Sequence, residues 1–265
     1  MKIFISADIE GVVGSTFKEE CRKGDPEYAQ FADQMTLEVV AACEGAIEAG
    51  ATEVIVKDGH GLANNIDVFK MPKGVKLIRG KSGHPYNMMY GLDESFHAVI
   101  FIGYHSGAGN PGSPLSHTST GSTNYIKLNG MYTTEFLINS YTAENNRVPV
   151  VFLSGDREIC NEAKKINPNI TTVATKECYG GCTVNLSKEE ALGRIKSGVK
   201  DALTGDVSKC HIEVPEEFEE IISFKDHVHA FKMKFYPGME KIDDHTIKLV
   251  TKDYMDIITA NTFVL

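Results

Sequence analysis

The sequence predicts an α/β protein: an open, mostly parallel sheet with helices on both faces, plus a smaller C-terminal α+β subdomain. Three observations carry this. Short β-rich runs alternate with helical stretches through the first two thirds of the chain. One run, HAVIFIGYH (97–105), is apolar at both parities, as a strand covered on both faces must be. From about Ser208 the rhythm changes, and FEEIISFK (218–225) alternates acidic and apolar residues.

The elements follow in order. KIFISA is the first strand. Residues 28–50 place Tyr28, Phe31, Met35, Val39, Cys43 and Ile47 at near-continuous i+4 spacing and stop at Gly50, the pattern of a one-sided helix with a glycine end signal. TEVIVKD and VKLIRG are the second and third strands, and HAVIFIGYH is the central fourth. VPVVFLSGD and ITTVAT follow after further helices. Beyond Ser208, HTIKLVTKD is a short strand, YPGMEKIDD a connecting loop and YMDIITANTFVL a closing helix. The reading divides the chain into an α/β domain, 1–207, carrying the chemistry, and a small α+β subdomain, 208–265, the two forming one unit.

Composition narrows the function. A length of 265 residues with 42% hydrophobic content supports one large domain or a domain with an appendage. The net charge of -9, with no long basic run, argues against nucleic acid or an anionic membrane as the main partner. In MKIFISADIE the apolar run is too short for a secretory signal, and no stretch approaches the ~20 apolar residues of a membrane span. A cytoplasmic protein is expected. The six cysteines are scattered, which suits reduced thiols. Cys178 and Cys182 in ECYGGCTV lack a second pair nearby and read as a glycine-containing turn rather than a metal clip.

Polar residues gather at the strand ends, where open α/β sheets place function. The first strand exits into Asp8 and Glu10, the second into Asp58 and His60, the fourth into His105. A following loop, NPGSPLSHTST, supplies His117, and GMYTTEFLINS puts Glu135 near the start of a helix. Residues two apart in an extended chain point the same way, so Asp8 and Glu10 face one point. Two such carboxylates repel unless a cation lies between them. Two imidazoles and three carboxylates exceed the needs of one tetrahedral zinc and suit a pair of metal ions sharing a carboxylate. Asp58, Asn64 and Asn65 flank His60 in DGHGLANN, either supporting that ligand from behind or simply making the turn. His227 and His229 form a rival His-x-His pair, read as a surface feature of the second subdomain. His84, His97, His211 and His245 show no partner pattern.

Taken together, SADIEG, DGHGLANN, GLDESFHAVIFIGYH, PGSPLSHT and NGMYTTEFLINSY, with YPGME near the C-terminus, resemble the M55 family of metallopeptidases, the D-aminopeptidases, over essentially the whole chain. The resemblance implies a binuclear zinc aminopeptidase with two Zn2+ per subunit. It further implies short peptide substrates containing D-amino acids, and a homo-oligomer in the form of a decameric ring with its sites facing an inner chamber. Carried over by position, the metal ligands are Asp8, Glu10, His60, His105 and Glu135, with Asp8 bridging, and His117 is the catalytic base or nucleophile. Three roles stay open for His117 on the residues alone: proton carrier, sixth ligand, or hydrogen-bonded loop residue. The rival functions are another metal-dependent amidase acting on cell-wall-derived peptides and a catalytically silent peptide-binding assembly. A phosphatase fits less well, because no P-loop or Arg/Lys clamp accompanies the metal motifs. Nitrogen–oxygen ligand sets accept zinc, manganese and cobalt alike, and chirality is decided by packing around the substrate side chain.

Overall fold

The computed structural model describes residues 1–265. The chain runs β1 (Lys2–Ala7), α1 (Lys18–Cys21), α2 (Tyr28–Glu48), β2 (Glu53–Asp58), β3 (Val75–Ile78) and β4 (Ala98–Tyr104). It continues with β5 (Thr123–Leu128), β6 (Met131–Tyr132), α3 (Glu135–Asn145), β7 (Val150–Asp156), α4 (Arg157–Ile166), β8 (Thr171–Tyr179), β9 (Cys182–Asn185) and α5 (Lys188–Thr204). The last part comprises β10 (Phe218–Phe224), α6 (His227–Met233), β11 (Glu240–Lys241), β12 (Thr246–Thr251) and α7 (Tyr254–Val264).

A seven-stranded sheet has the order β3-β2-β1-β4-β7-β8-β9. All neighbours are parallel except the β8–β9 hairpin. Strand side chains alternate between faces, and the core divides accordingly. Ile3, Ile5, Ile100 and Ile102 pack with Met35, Val39 and Cys43 of α2 and Ile195 and Val199 of α5. Phe4, Val99 and Phe101, the intervening residues, pack on the other face with Phe136 of α3 and Ile159 and Ala163 of α4. Helices therefore cover both faces, and the expected doubly covered sheet is what forms. The expected central strand, β4, is buried at every position.

The strand order reverses between β1 and β4: the chain builds outward through β2 and β3, then returns to the other side of β1. Such a switch point leaves a crevice beyond the carboxyl ends of the two strands. Ala7 lies opposite Asp58 on one side and Ile102 on the other, so the residues that follow β1, β2 and β4 emerge at one level.

A second, antiparallel sheet has the order β11-β12-β10-β5-β6. Two of its strands come from the middle of the chain, within 1–207. They are joined at Asn129–Gly130, both at positive φ (50° and 80°), the backbone of a tight two-residue hairpin turn. The chain thus leaves the parallel sheet after β4, pairs β5 against β10, and returns at α3. Helix α3 lies between the layers: Phe136 faces the parallel sheet, while Leu137 and Tyr141 pack with Phe218, Leu249 and Ile257. YPGMEKIDD, expected as a loop, contains the two-residue strand β11, because Glu240 and Lys241 pair with β12.

The crevice needs close backbone contact. Gly103 sits at φ +70°, and a Cβ there would lie 2.3 Å from the Asp8 carbonyl. Gly103→Ala should therefore incur both the left-handed penalty and overpacking, lowering stability by about 2–5 kcal/mol in sum. A denaturant midpoint unchanged from wild type would contradict this.

Candidate metal centre

The crevice between β1 and β4 collects six side chains. Asp8 follows β1 directly, and Glu10 lies in the turn beyond it. His60 is two residues past β2, His105 directly follows β4, and Glu135 is the first residue of α3. His117 lies on the excursion between β4 and β5. Asp8, Glu10 and Glu135 are buried, at 3%, 5% and 6% exposure. No lysine or arginine forms an ion pair with any of them; their positively chargeable partners are the imidazoles. Burying several carboxylates without a matching cation is strongly unfavourable.

The contacts are short. His60 Nδ1 lies 3.1 Å from Asp8 Oδ1 and 3.0 Å from Glu10 Oε2. His105 Nε2 lies 3.5 Å from Asp8 Oδ2 and 3.8 Å from Glu135 Oε2. His117 Nε2 lies 3.8 Å from Glu135 Oε1 and 4.0 Å from Glu10 Oε1, and its ring stacks on that of His105 with centroids 4.4 Å apart. Two overlapping groups have donor atoms close enough to share one ion: Asp8, Glu10 and His105, and His105, His117 and Glu135.

The far sides of the imidazoles decide what the near sides offer. A backbone carbonyl can only accept, so the ring nitrogen facing it must carry hydrogen. His60 Nε2 donates to the Cys21 carbonyl at 2.7 Å, His105 Nδ1 to that of Ser106 at 2.9 Å, and His117 Nδ1 to that of Leu115 at 2.8 Å. In the neutral rings, Nδ1 of His60 and Nε2 of the other two therefore present lone pairs to carboxylates. Lone pairs facing carboxylates repel unless a cation intervenes, and this backbone-fixed tautomer is the usual setting of a metal-bound histidine. His105 Nε2 and Glu10 Oε2 are both buried without a hydrogen-bond partner. The donor set fits divalent metal on these grounds.

Protonation is the other way to relieve the repulsion. Burial disfavours imidazolium, yet the Glu10 charge and the contacts with Asp8 push His60 up to about 12. Burial likewise opposes the charge on His105, but Asp8, Glu135 and Glu10 push it up to about 10. For Asp8, burial acts upward and is outweighed by His105 and His60, which hold the carboxyl well below the usual range. Burial raises Glu135, with Asp8 adding to it and His105 and His117 opposing.

Several supports surround the cluster. Asp58 Oδ2 accepts from the backbone N–H groups of Asn65 (2.6 Å) and Ile66 (2.9 Å), and its Oδ1 accepts from Asn65 Nδ2 at 2.8 Å. The same Asn65 amide donates to the His60 carbonyl at 2.8 Å. These two residues tie down the loop bearing His60 without touching its ring. Asn64 contributes only its backbone carbonyl, to Lys23. Three partners were missed in the sequence. The Cys21 carbonyl orients His60. Asp156 accepts from both Ser106 N and Ser106 Oγ beside His105, at 2.8 and 2.9 Å. Buried Lys176 donates to the carbonyls of Glu10, Val12 and Ser15, fixing the turn that bears Glu10. A lone lysine in the β-rich run ITTVATKE was the one signal for the last.

The rival motifs lie elsewhere. His227 and His229 are on α6, where a two-residue spacing turns side chains to different sides; His229 Nε2 donates to the Val264 carbonyl at 3.1 Å. Cys178 and Cys182 flank the β8–β9 turn, and all six cysteines are free thiols.

Known proteins resemble this chain over essentially its whole length. The D-aminopeptidase family of M55 peptidases matches residues 1–263. A D-aminopeptidase of Bacillus subtilis (strain 168) is 29% identical over 262 residues, covering 98% of this chain and 95% of that protein. A solved structure, the Zn-dependent D-aminopeptidase DppA from Bacillus subtilis, a self-compartmentalizing protease, superposes with a TM-score of 0.92. It is 28% identical, with 100% of this chain and 96% of that chain covered.

Two expectations follow. Because the raised imidazoles hold protons that a metal must displace, metal uptake by the stripped protein at pH 7 should release about two protons, and affinity should rise with pH. Calorimetric titration in buffers of different ionisation enthalpy measures this, and a binding heat independent of buffer would contradict it. Asp58→Asn turns an amide N–H toward donors and loosens the His60 loop, so metal affinity in a chelator competition should fall about 10-fold. Asn64→Ala should leave it unchanged.

Proposed function

The chain belongs to the M55 peptidase family and is a hydrolase of peptide bonds; from that premise we propose that it is a binuclear zinc aminopeptidase, removing the N-terminal residue of short peptides that contain D-amino acids. The observation that carries the reading is the cluster of three buried carboxylates faced by imidazoles whose outer nitrogens are fixed as donors. Asp8, Glu10, His60, His105 and Glu135 would hold two zinc ions. The two oxygens of Asp8 face different imidazoles, Oδ1 toward His60 and Oδ2 toward His105, which supports Asp8 as the shared carboxylate. Zinc bound there supplies a Lewis acid that polarises a peptide carbonyl and brings the pKa of water down to about 7.

The remaining work falls to the chain's own residues. His117 has its Nδ1 hydrogen pinned on Leu115, so Nε2 is the atom that accepts and returns a proton. Its side chain is 27% exposed against 1% for His105, so it is the imidazole that meets a substrate. A cavity of about 340 Å³ opens over the cluster, lined by Asp8, His60, His117 and Glu135. A wider cleft of about 660 Å³ also borders His60 and His117.

We also read the protein as a homo-oligomeric ring, decameric and cytoplasmic. The self-compartmentalizing relative supports assembly, as do exposed apolar side chains such as Phe231, Phe235 and Phe263, which a subunit contact would cover. No helix is long and apolar enough to cross a membrane.

His117→Ala tests the assignment. The variant should keep its metal and its assembly, yet lose turnover of D-Ala-D-Ala by about 10²–10⁴-fold with a modest change in KM. The 3.8 Å approach of Nε2 to Glu135 favours a second reading, a sixth ligand. On that reading the variant would lose one metal equivalent together with activity. Retention of most activity would leave His117 a loop residue and remove it from the mechanism.

A further inference from the structure

Resting on the peptidase reading, we propose that Lys81 is a specificity residue. Its ammonium binds the free C-terminal carboxylate of a dipeptide whose scissile bond lies over the carboxylate–imidazole cluster, so that the enzyme selects two-residue free acids.

Lys81 is the one lysine or arginine lining the cavity formed over Asp8, His60, His117 and Glu135. The residue is exposed, but its ammonium turns inward to the loop that bears His60. Nζ donates to the Gly59 carbonyl at 2.9 Å and to Asn87 Oδ1 at 2.8 Å. An ammonium has three donors, so these two bonds orient it and leave one N–H for a ligand. Both anchors are themselves constrained. Asn87 sits at φ +45°, where asparagine is tolerated better than most residues. Gly59 packs so closely that a Cβ there would lie 2.8 Å from the Ala7 carbonyl. The ammonium is therefore held by a backbone carbonyl that cannot easily shift and by the side-chain amide oxygen of Asn87.

Charge says what it is held for. Lys81 makes no ion pair with Asp8, Glu10 or Glu135, whose partners are imidazoles. Once two divalent ions balance those three carboxylates, the cluster carries net positive charge, and an ammonium on the same wall repels it. An incoming anion relieves that repulsion. A peptide bound by its first carbonyl at the cluster ends, one residue later, in a carboxylate if it is a dipeptide, and in another amide if it is longer. The neighbouring cleft also holds cations, Lys18, Arg22, Lys23 and Lys225, but none of them lines the cavity over Asp8, His117 and Glu135, and Arg22 is already paired with Asp25 at 2.8 Å.

The experiment compares D-Ala-D-Ala with its C-terminal amide, using zinc-loaded wild type, Lys81→Met, Lys81→Arg and Lys23→Met. Wild type and Lys81→Arg should favour the free acid. Lys81→Met should raise KM for the acid by about 10–100-fold with kcat little changed, and should leave the amide nearly unaffected. Titration of the non-cleavable reduced-bond isostere of D-Ala-D-Ala, as acid and as amide, should show the same loss for the acid alone, without turnover. Equal losses on acid and amide would reduce Lys81 to a prop for the Gly59 loop and overturn the inference. So would loss of acid preference in Lys23→Met but not in Lys81→Met. Failure of wild type to cleave either peptide would overturn the peptidase reading and this inference with it; cleavage of both by wild type without any acid preference would overturn this inference alone.

Discussion

Asp8, Glu10 and Glu135 bring three carboxylates together in the protein interior with no lysine or arginine paired to them. Their mutual repulsion is the constraint around which the rest of the site is arranged. Imidazoles alone can answer it in two ways, by taking up protons or by sharing cations. The carbonyls of Cys21, Ser106 and Leu115 bias that choice, because each claims one ring hydrogen and turns the opposite nitrogen toward the carboxylates. Proton and metal then compete for the same lone pairs, and the backbone sets the terms by fixing where those lone pairs point.

The fold supplies that fixity from several directions at once. Asp8, His60 and His105 leave parallel strands in register at the switch point, where their backbones are already tied by the sheet ladder. Glu10 lies beyond the ladder, and its turn is held instead by the buried ammonium of Lys176 across three carbonyls. Glu135 arrives last in sequence, after an excursion through the antiparallel sheet. It is set at the first turn of α3, where the helix dipole favours a negative charge, and Ser119 N donates to its Oε1 at 2.7 Å. The second sheet thus bears directly on the site. By packing α3 against Phe218, Leu249 and Ile257, it fixes the helix end that carries Glu135.

What was legible in the sequence follows the same division. Strand and helix periods revealed the doubly covered sheet, because Ile3, Ile5 and Phe4 go to opposite faces by simple alternation. Ligand-type residues at successive strand ends revealed the cluster, because parallel strands deliver their exits to one edge. Contacts made by backbone atoms were invisible: nothing about Cys21 as a residue announces that its carbonyl will orient His60. Lys176 was only faintly signalled, as a lone lysine in a β-rich run, and its partners were hidden because they are carbonyls more than 160 residues away in sequence. The participation of β5 and β6 in the second sheet could not be read either, since pairing between distant antiparallel strands leaves no local period. Asn64 shows the opposite error. Its place in DGHGLANN promised a supporting side chain, but Asp58 and Asn65 close the loop between them and leave Asn64 only a backbone contact.

The distribution of charge around the crevice separates the tasks of its residues. Carboxylates hold a cation best when dry, since water weakens the attraction, and Asp8, Glu10 and Glu135, the proposed ligands, are buried. A proton carrier would have to reach both the cluster and the substrate, and His117, proposed for that role, is stacked on buried His105 yet lines the cavity. Lys81 lies further out on the same wall, oriented by neutral acceptors rather than neutralised by an acid. An ammonium paired to a carboxylate would have little left for a ligand; one held by a carbonyl and an amide keeps its charge. On the proposed reading, this series of environments, from buried acid to half-open imidazole to oriented ammonium, would run from metal to scissile bond to substrate terminus.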